Sequence, residues 1–385
     1  MKKVLATILA LVMALGVTTA AWADNADVAC SGENCNHAAA FNGKHYNHLV
    51  DAYAALTRGT TKPATAEVIT LLKDSSGGGI GSDADTNMNY VIDFGGHTYT
   101  VGEPAVGSTG TVSQGLRVLQ TSTAKFMNGT LKADNYNGLA QVVHTYGDVT
   151  FENFNVDARE NSYAQIAVEP DCGTLNITGN SSILAREGMT GLYVAFWHTG
   201  TYNGTTVNVN TTGKITGKLV YEFDEDMTGD AAATENRAVL NIANGNFEIT
   251  GIQTLFSDVA NEALKEAKIE VSGGTFSTDV KEYLAEGKIL QKNGDTYTAV
   301  TNSAITSGTY TSEPTVPSGY KATKNDDGTW TVSKVSYYYY QPTTDTKTTD
   351  TKGSPKTFDA GIALYVGMAL TSAAGVAFVG KKRED

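Results

Sequence analysis

The sequence predicts an all-β protein whose main domain is a right-handed parallel β-helix, and three observations carry that prediction. Short apolar runs of strand length recur through the middle of the chain. They recur in two interleaved series with a similar spacing. Gly, Asn and Thr punctuate them, and no strong helical periodicity appears in this region.

The first series is Val118-Leu119-Gln120-Thr121, Val142-Val143-His144-Thr145, Ala167-Val168-Glu169-Pro170 and Phe196-Trp197-His198-Thr199, in steps of about 24 to 29 residues. The second is Leu175-Asn176-Ile177, Val207-Asn208-Val209, Leu240-Asn241-Ile242 and Ile269-Glu270-Val271, in steps of about 29 to 33 residues. Gly179, Gly213, Gly245 and Gly273 follow its members. Two interleaved series describe a coil with several strands per turn. A single turn cannot bury its apolar side, and stacking the next turn buries it. The alternative is a sandwich or barrel, in which consecutive strands reverse direction. Earlier strands are expected at 68–72 and 90–94.

In chain order, residues 1–23 read as a signal peptide: Lys2 and Lys3, an apolar run over 4–17, then Ala21-Trp22-Ala23 before Asp24. Residues 24–60 form an N-terminal cap segment. Leu49, Tyr53 and Leu56 there have helical spacing, and a short amphipathic helix would cover the open end of the coil. Cys30, Cys35, His37, His45 and His48 share that segment and invite a zinc reading. Their spacing fits no compact zinc module, which leaves a polar segment or a local Cys30–Cys35 disulfide. The third cysteine is Cys172, and an odd count is no disulfide framework.

Residues 61–274 are the β-helix and 275–335 are hairpin repeats. Ser272-Gly273-Gly274-Thr275-Phe276-Ser277 matches Thr306-Ser307-Gly308-Thr309-Tyr310-Thr311, and each copy is followed by strand runs around an Asn-Gly or Asp-Gly pair. A short helix is expected over 279–286, ended by Gly287; Pro314 and Pro317 exclude it from the second copy. Residues 336–353 are a Thr-rich linker unable to build a core. Tyr337, Tyr338, Tyr339 and Tyr340 open it, either as aromatics for glycan contact or as a β-rich join.

Residues 354–385 hold the tail: Ser354-Pro355-Lys356-Thr357-Phe358, an uncharged stretch over 360–380, then Lys381-Lys382-Arg383. The stretch is about 21 residues, about 31 Å as a helix, enough to cross a bilayer with its basic end inside. This tail resembles the cell-wall sorting signal of Gram-positive bacteria. Ser354 stands where the pattern has Leu, and Phe358 where it has Gly. The resemblance implies a sortase that cuts after Thr357 and joins it to peptidoglycan; the alternative is a single-pass membrane anchor. The hairpin motif, with the stretches 68–74 and 92–98, is similar to repeats of adhesin-like surface proteins of gut Firmicutes. That resemblance implies a pectate-lyase-like β-helix.

A formal charge of −13, from 28 basic and 41 acidic residues, argues against nucleic acid. Stacked in register, Gln120, His144, Glu169 and His198 would form a file able to ligate a metal or exchange protons, or an inert polar ladder, with no Arg beside it. Glu222, Asp224, Glu225 and Asp226 offer oxygen ligands for calcium, or a solvated corner. Arg159-Glu160 and Arg186-Glu187 read as lyase groups or surface pairs. The polygalacturonase-type signatures are missing: Gly96-His97-Thr98 is a partial match only, and Asp326-Asp327 belongs to a hairpin turn. Asn128, Asn176, Asn180, Asn203 and Asn210 satisfy the Asn-x-Ser/Thr rule but suit β-helix corners without a glycan. The expected function is a cell-surface adhesin-like or display protein, without catalysis, metal or cofactor; the alternative is an anchored polysaccharide lyase or hydrolase on the same fold.

Overall fold

The computed structural model describes residues 26–28, 36–108, 111–197, 204–224, 237–259 and 262–336. The signal peptide, Cys30, Cys35, His198, Asn203, Glu225, Asp226, Tyr337 to Tyr340, Thr357 and the apolar stretch 360–380 lie outside these residues. Among the described residues, no helix is long and apolar enough to cross a membrane.

The chain is a β-solenoid of three parallel stacks. The first stack runs through Glu67–Leu71, Asn89–Asp93, the opening halves of Thr123–Ala133 and Asp148–Asp157, and Gly173–Gly179. It continues through the opening parts of Gly204–Asp224 and Arg237–Ser257 to Ile269–Val271. The second holds Ser75–Gly77, Thr98–Val101, the closing halves of Thr123–Ala133 and Asp148–Asp157, and Ser182–Leu184. The third holds Gln114–Val118, Gln141–Thr145, Ile166–Pro170, Thr190–Val194 and the last residues of the two long strands.

The second series falls in register as its spacing predicts. Asn176 lies beside Asn208, Asn208 beside Asn241, and Asn241 beside Glu270. Their amides chain together: Asn208 Nδ2 donates to Asn176 Oδ1 at 3.0 Å, and Asn241 Nδ2 to Asn208 Oδ1 at 2.9 Å. The neighbouring Leu175, Ile177, Val207, Val209, Leu240 and Ile242 point inward and are buried.

The first series does not keep its expected register. Arg117, not Gln120, lies beside His144, and Gln120 sits in the turn past the strand. Val168 pairs with Leu192, which brings Tyr193 beside Glu169 at the place expected for His198. The turns differ in length at their corners, so a fixed step in sequence is not a fixed step in space.

Corner chemistry explains how one strand serves two stacks. Asn128 and Asn153 take φ of 56° and 52°, and Gly179 takes 65°. The left-handed conformation bends the chain between the first and second stacks, and Asn and Gly tolerate it best. Gly129 follows at a point of close approach, where a Cβ would lie 2.3 Å from Phe94 Cβ. Inside that corner Phe94, Phe126, Phe151 and Phe154 are fully buried, with ring centroids 4.8 to 6.1 Å apart.

Both ends of the coil carry antiparallel strands. Ala39–Phe41 and Lys44–Tyr46 form a hairpin around Asn42-Gly43, both at positive φ, and Ala39–Phe41 pairs antiparallel with Glu67–Leu71. The helix Leu49–Ala54 buries Leu49, Ala52 and Tyr53 against the first turn, where Tyr53 meets the Tyr90 ring. At the other end Thr275–Phe276 pairs antiparallel with Thr296–Thr301, which pairs with Lys288–Asn293. Gly308–Tyr310 pairs with Trp330–Lys334, which pairs with Tyr320–Lys324. Phe276 thus faces Tyr297 as Tyr310 faces Trp330. The helix expected over 279–286 is a single 3-10 turn, Lys281–Tyr283, and Gly287 follows at φ 73°.

Two substitutions test this account by denaturant unfolding. Phe126→Ala is expected to cost about 3–5 kcal/mol, because it hollows the aromatic corner. Asn128→Val is expected to cost roughly 1–2 kcal/mol more than Asn128→Gly, because only the β-branched residue strains at positive φ. Equal losses in the two Asn128 variants would refute the corner argument.

Candidate functional site

The third stack gathers the titratable cluster. Parallel pairing sets His144 of Gln141–Thr145 beside Glu169 of Ile166–Pro170. The chain leaves that strand at Asp171, whose N–H donates to Thr145 O at 2.8 Å and whose carbonyl accepts from Trp197 N–H at 2.8 Å. Those bonds hold Asp171 against the turn before and the turn after, and its carboxylate reaches the imidazole.

His144 is 5% exposed, Asp171 6% and Gln114 4%. Gln114 Nε2 lies 2.7 Å from His144 Nδ1, and Asp171 Oδ2 lies 2.7 Å from Nε2. The amide nitrogen donates, so Nδ1 accepts and Nε2–H donates to Asp171: a neutral ring. Gln114 Oε1 and Glu169 Oε2 are both buried without a hydrogen-bond partner. The one-atom donors of His144, Glu169 and Asp171 all lie within 4.8 Å of one another.

The surroundings bias the charges. Burial opposes protonation of His144, but the charge and hydrogen bond of Asp171, with the charge of Glu169, outweigh it and lift its pKa above 6.5. Arg117 works against that rise. Burial first, then the charge of Asp171, push the Glu169 carboxyl up to about 7; Glu222 adds to this, while His144 and a hydrogen bond from Gln141 pull it down. The Arg117 guanidinium is itself engaged, donating to Asp83 Oδ1 at 2.7 Å and Ser108 Oγ at 2.5 Å. The Tyr146 ring stacks 4.5 Å from the imidazole. One turn on, Tyr193 donates to Glu222, which also accepts from Ser257 Oγ at 2.7 Å.

Of the residues picked out by sequence, the structure brings His144 and Glu169 together and leaves Gln120 outside. Asp171, Gln114, Arg117 and Tyr146 were missed, and the expectation of no Arg beside the file is corrected by Arg117. Parallel pairing puts Glu222 on the same stack as the cluster rather than at a corner. Arg159 forks onto Asp157 with bonds of 2.9 and 2.7 Å, Glu160 pairs with Lys132, and Arg186 donates to the carbonyls of Asn161 and Ala164. His97 lies 3.4 Å from Asp74. Asp327 Oδ1 closes its turn by accepting from Thr329 N–H and Oγ1–H. His37 and His45 meet ring to ring at 5.8 Å. A pocket of about 490 Å³ beside Asn246, Phe247, Glu248 and Thr296 lies on other strands, and its Glu248 is paired with Lys214. No family model matches the chain, and comparison with curated proteins and with solved structures gives no match.

The raised Glu169 pKa gives a signed prediction. Between 4.5 and about 7 the folded state holds a proton that the unfolded state has released, so this group's stabilisation is full below 4.5 and is lost as pH rises to 7. Thermal melts in EDTA should therefore show wild-type Tm falling relative to Glu169→Gln across that window. A constant difference between the two would contradict the assignment.

Proposed function

We propose that this chain is a non-enzymatic display protein that presents its β-solenoid outward from a Gram-positive cell surface and binds a glycan on the third stack. The observation that carries the reading is Trp197. Its backbone is fixed by bonds to Asp171 and Cys172, yet its side chain is half exposed, at 49%. A half-exposed indole on a backbone held at Asp171 and Cys172 is suited to stacking on a sugar ring. The antiparallel strands at both ends support a free-standing solenoid, because Glu67–Leu71 at one end and Thr275–Phe276 at the other are covered rather than left as bare edges. The Thr-rich linker and the tail support outward display: attached to peptidoglycan through Thr357, or held by the apolar stretch 360–380.

The full chain is expected to bind a subset of glycans on an array. Trp197→Ala should weaken that binding about tenfold without changing the circular dichroism, the loss of one aromatic contact. Pectins and host glycans are expected to be bound or ignored but not cleaved. Cleavage abolished by His144→Ala or Glu169→Ala would replace this reading with a polysaccharide lyase or hydrolase. Anchoring has a separate readout: peptidoglycan fragments joined to a chain ending at Thr357 support wall attachment, and mature protein retaining Lys381 to Asp385 refutes it.

A further inference from the structure

We propose that His144, Glu169 and Asp171 form a binding site for a divalent transition-metal ion of the zinc class, with Gln114 as the group that orients the imidazole. The proposal is independent of the glycan reading.

Donor type and spacing come first. One imidazole nitrogen and two carboxylate oxygens suit zinc, manganese or ferrous iron, whereas calcium prefers six to eight oxygens. The three donor atoms already lie within 4.8 Å of one another. A tetrahedral ion with bonds of about 2.0–2.2 Å holds its ligands about 3.3–3.6 Å apart. The shortest separation, 2.7 Å from His144 Nε2 to Asp171 Oδ2, is set by a shared proton. Replacing that proton by a metal ion opens it by about 0.6–0.9 Å.

Two buried, unpartnered oxygens point independently to a missing ligand. Glu169 Oε2, a member of the cluster, accepts no hydrogen bond. Gln114 Oε1 belongs to a side chain that is 4% exposed and packed against the imidazole, and it also accepts none. Buried oxygens without partners are uncommon and costly. Metal binding satisfies both. Glu169 Oε2 takes the ion. The ring, ligating through Nε2, carries its proton on Nδ1 and donates it to Gln114 Oε1 after a half turn of the amide. A histidine ligand whose other N–H meets a carbonyl oxygen is the usual arrangement at metal sites.

Charge agrees. The cluster holds two carboxylates, with Glu222 two turns on, against a ring that is neutral as bonded. The Arg117 guanidinium, whose charge reaches the imidazole, is paired with Asp83 at 2.7 Å. A dication on two carboxylates and a neutral imidazole balances, and the protons it displaces from Nε2 and from Glu169 pass to the ring nitrogen and to solvent.

The test titrates Zn²⁺ into the full chain, followed by calorimetry and by competition with a chromogenic chelator. Cys30→Ser/Cys35→Ser is the background, so that thiols of the N-terminal segment do not contribute. One equivalent is expected to bind, with excess Ca²⁺ failing to compete. Asp171→Asn or His144→Ala should abolish binding, and Gln114→Leu should weaken it about 10- to 100-fold at unchanged stoichiometry. Unfolding of a variant is covered by X-ray absorption on zinc-loaded protein without those substitutions, where imidazole and oxygen but no sulfur should surround the ion. Absence of stoichiometric binding in the Cys30→Ser/Cys35→Ser background, binding indifferent to Asp171→Asn, or sulfur in the first coordination sphere would each overturn the proposal.

Discussion

Parallel, in-register stacking is the constraint on which the rest of this structure depends. Each interior strand of the solenoid completes its hydrogen bonds on the turn before and the turn after, so no turn is stable in isolation. Register then decides what lies inside. With side chains alternating at each residue, a slip of one position would turn Phe126 and Phe151 out and Lys125 and Glu152 in. The observed register avoids this: Phe126 sits beside Phe151, and on the outer face Lys125 pairs with Glu152 at 2.8 Å. The apolar column inside and the ionic contact outside enforce the same alignment.

The same stacking builds the chemical site. His144 and Glu169 are 25 positions apart in sequence but neighbours on adjacent rungs. Asp171 joins them because the strand ends at Pro170 and the chain bends back over the ring. The cluster therefore needs no dedicated loop. It arises where one polar position per turn alternates with the core residues Val143 and Val168 on the third stack, and burial together with neighbouring charges shifts the protonation of His144 and Glu169.

The fold was legible in the sequence where spacing and composition acted together. The Leu-Asn-Ile, Val-Asn-Val and Leu-Asn-Ile repeats gave the correct pairing because each triplet begins and ends with an apolar residue around one polar one, a pattern with a single buried alignment. The first series misled because each member pairs two adjacent apolar residues: Val118 and Leu119 are both buried, as are Val142 and Val143, so alternation does not separate the register through Gln120 from the one through Arg117. Asp171 was hidden for a different reason. It lies past the strand, where periodicity carries no information. The N-terminal cap was expected from its helical spacing, whereas its hairpin, signalled by the Asn42-Gly43 pair between short strands, was missed. The partial pectinase-like signatures failed because they are read from residue order, whereas His97 and Asp327 serve their own turns.

The two antiparallel ends have a consequence beyond protecting edges. They separate how the coil is closed from how long it is. The hairpin at Asn42-Gly43 touches only the first rung, and the strands from Lys288 onward only the last. Loss or duplication of one whole turn from the middle would join compatible rungs and leave both closures untouched. Length can therefore vary in quanta of a single turn, with the extent of the solenoid surface changing while its ends stay fixed.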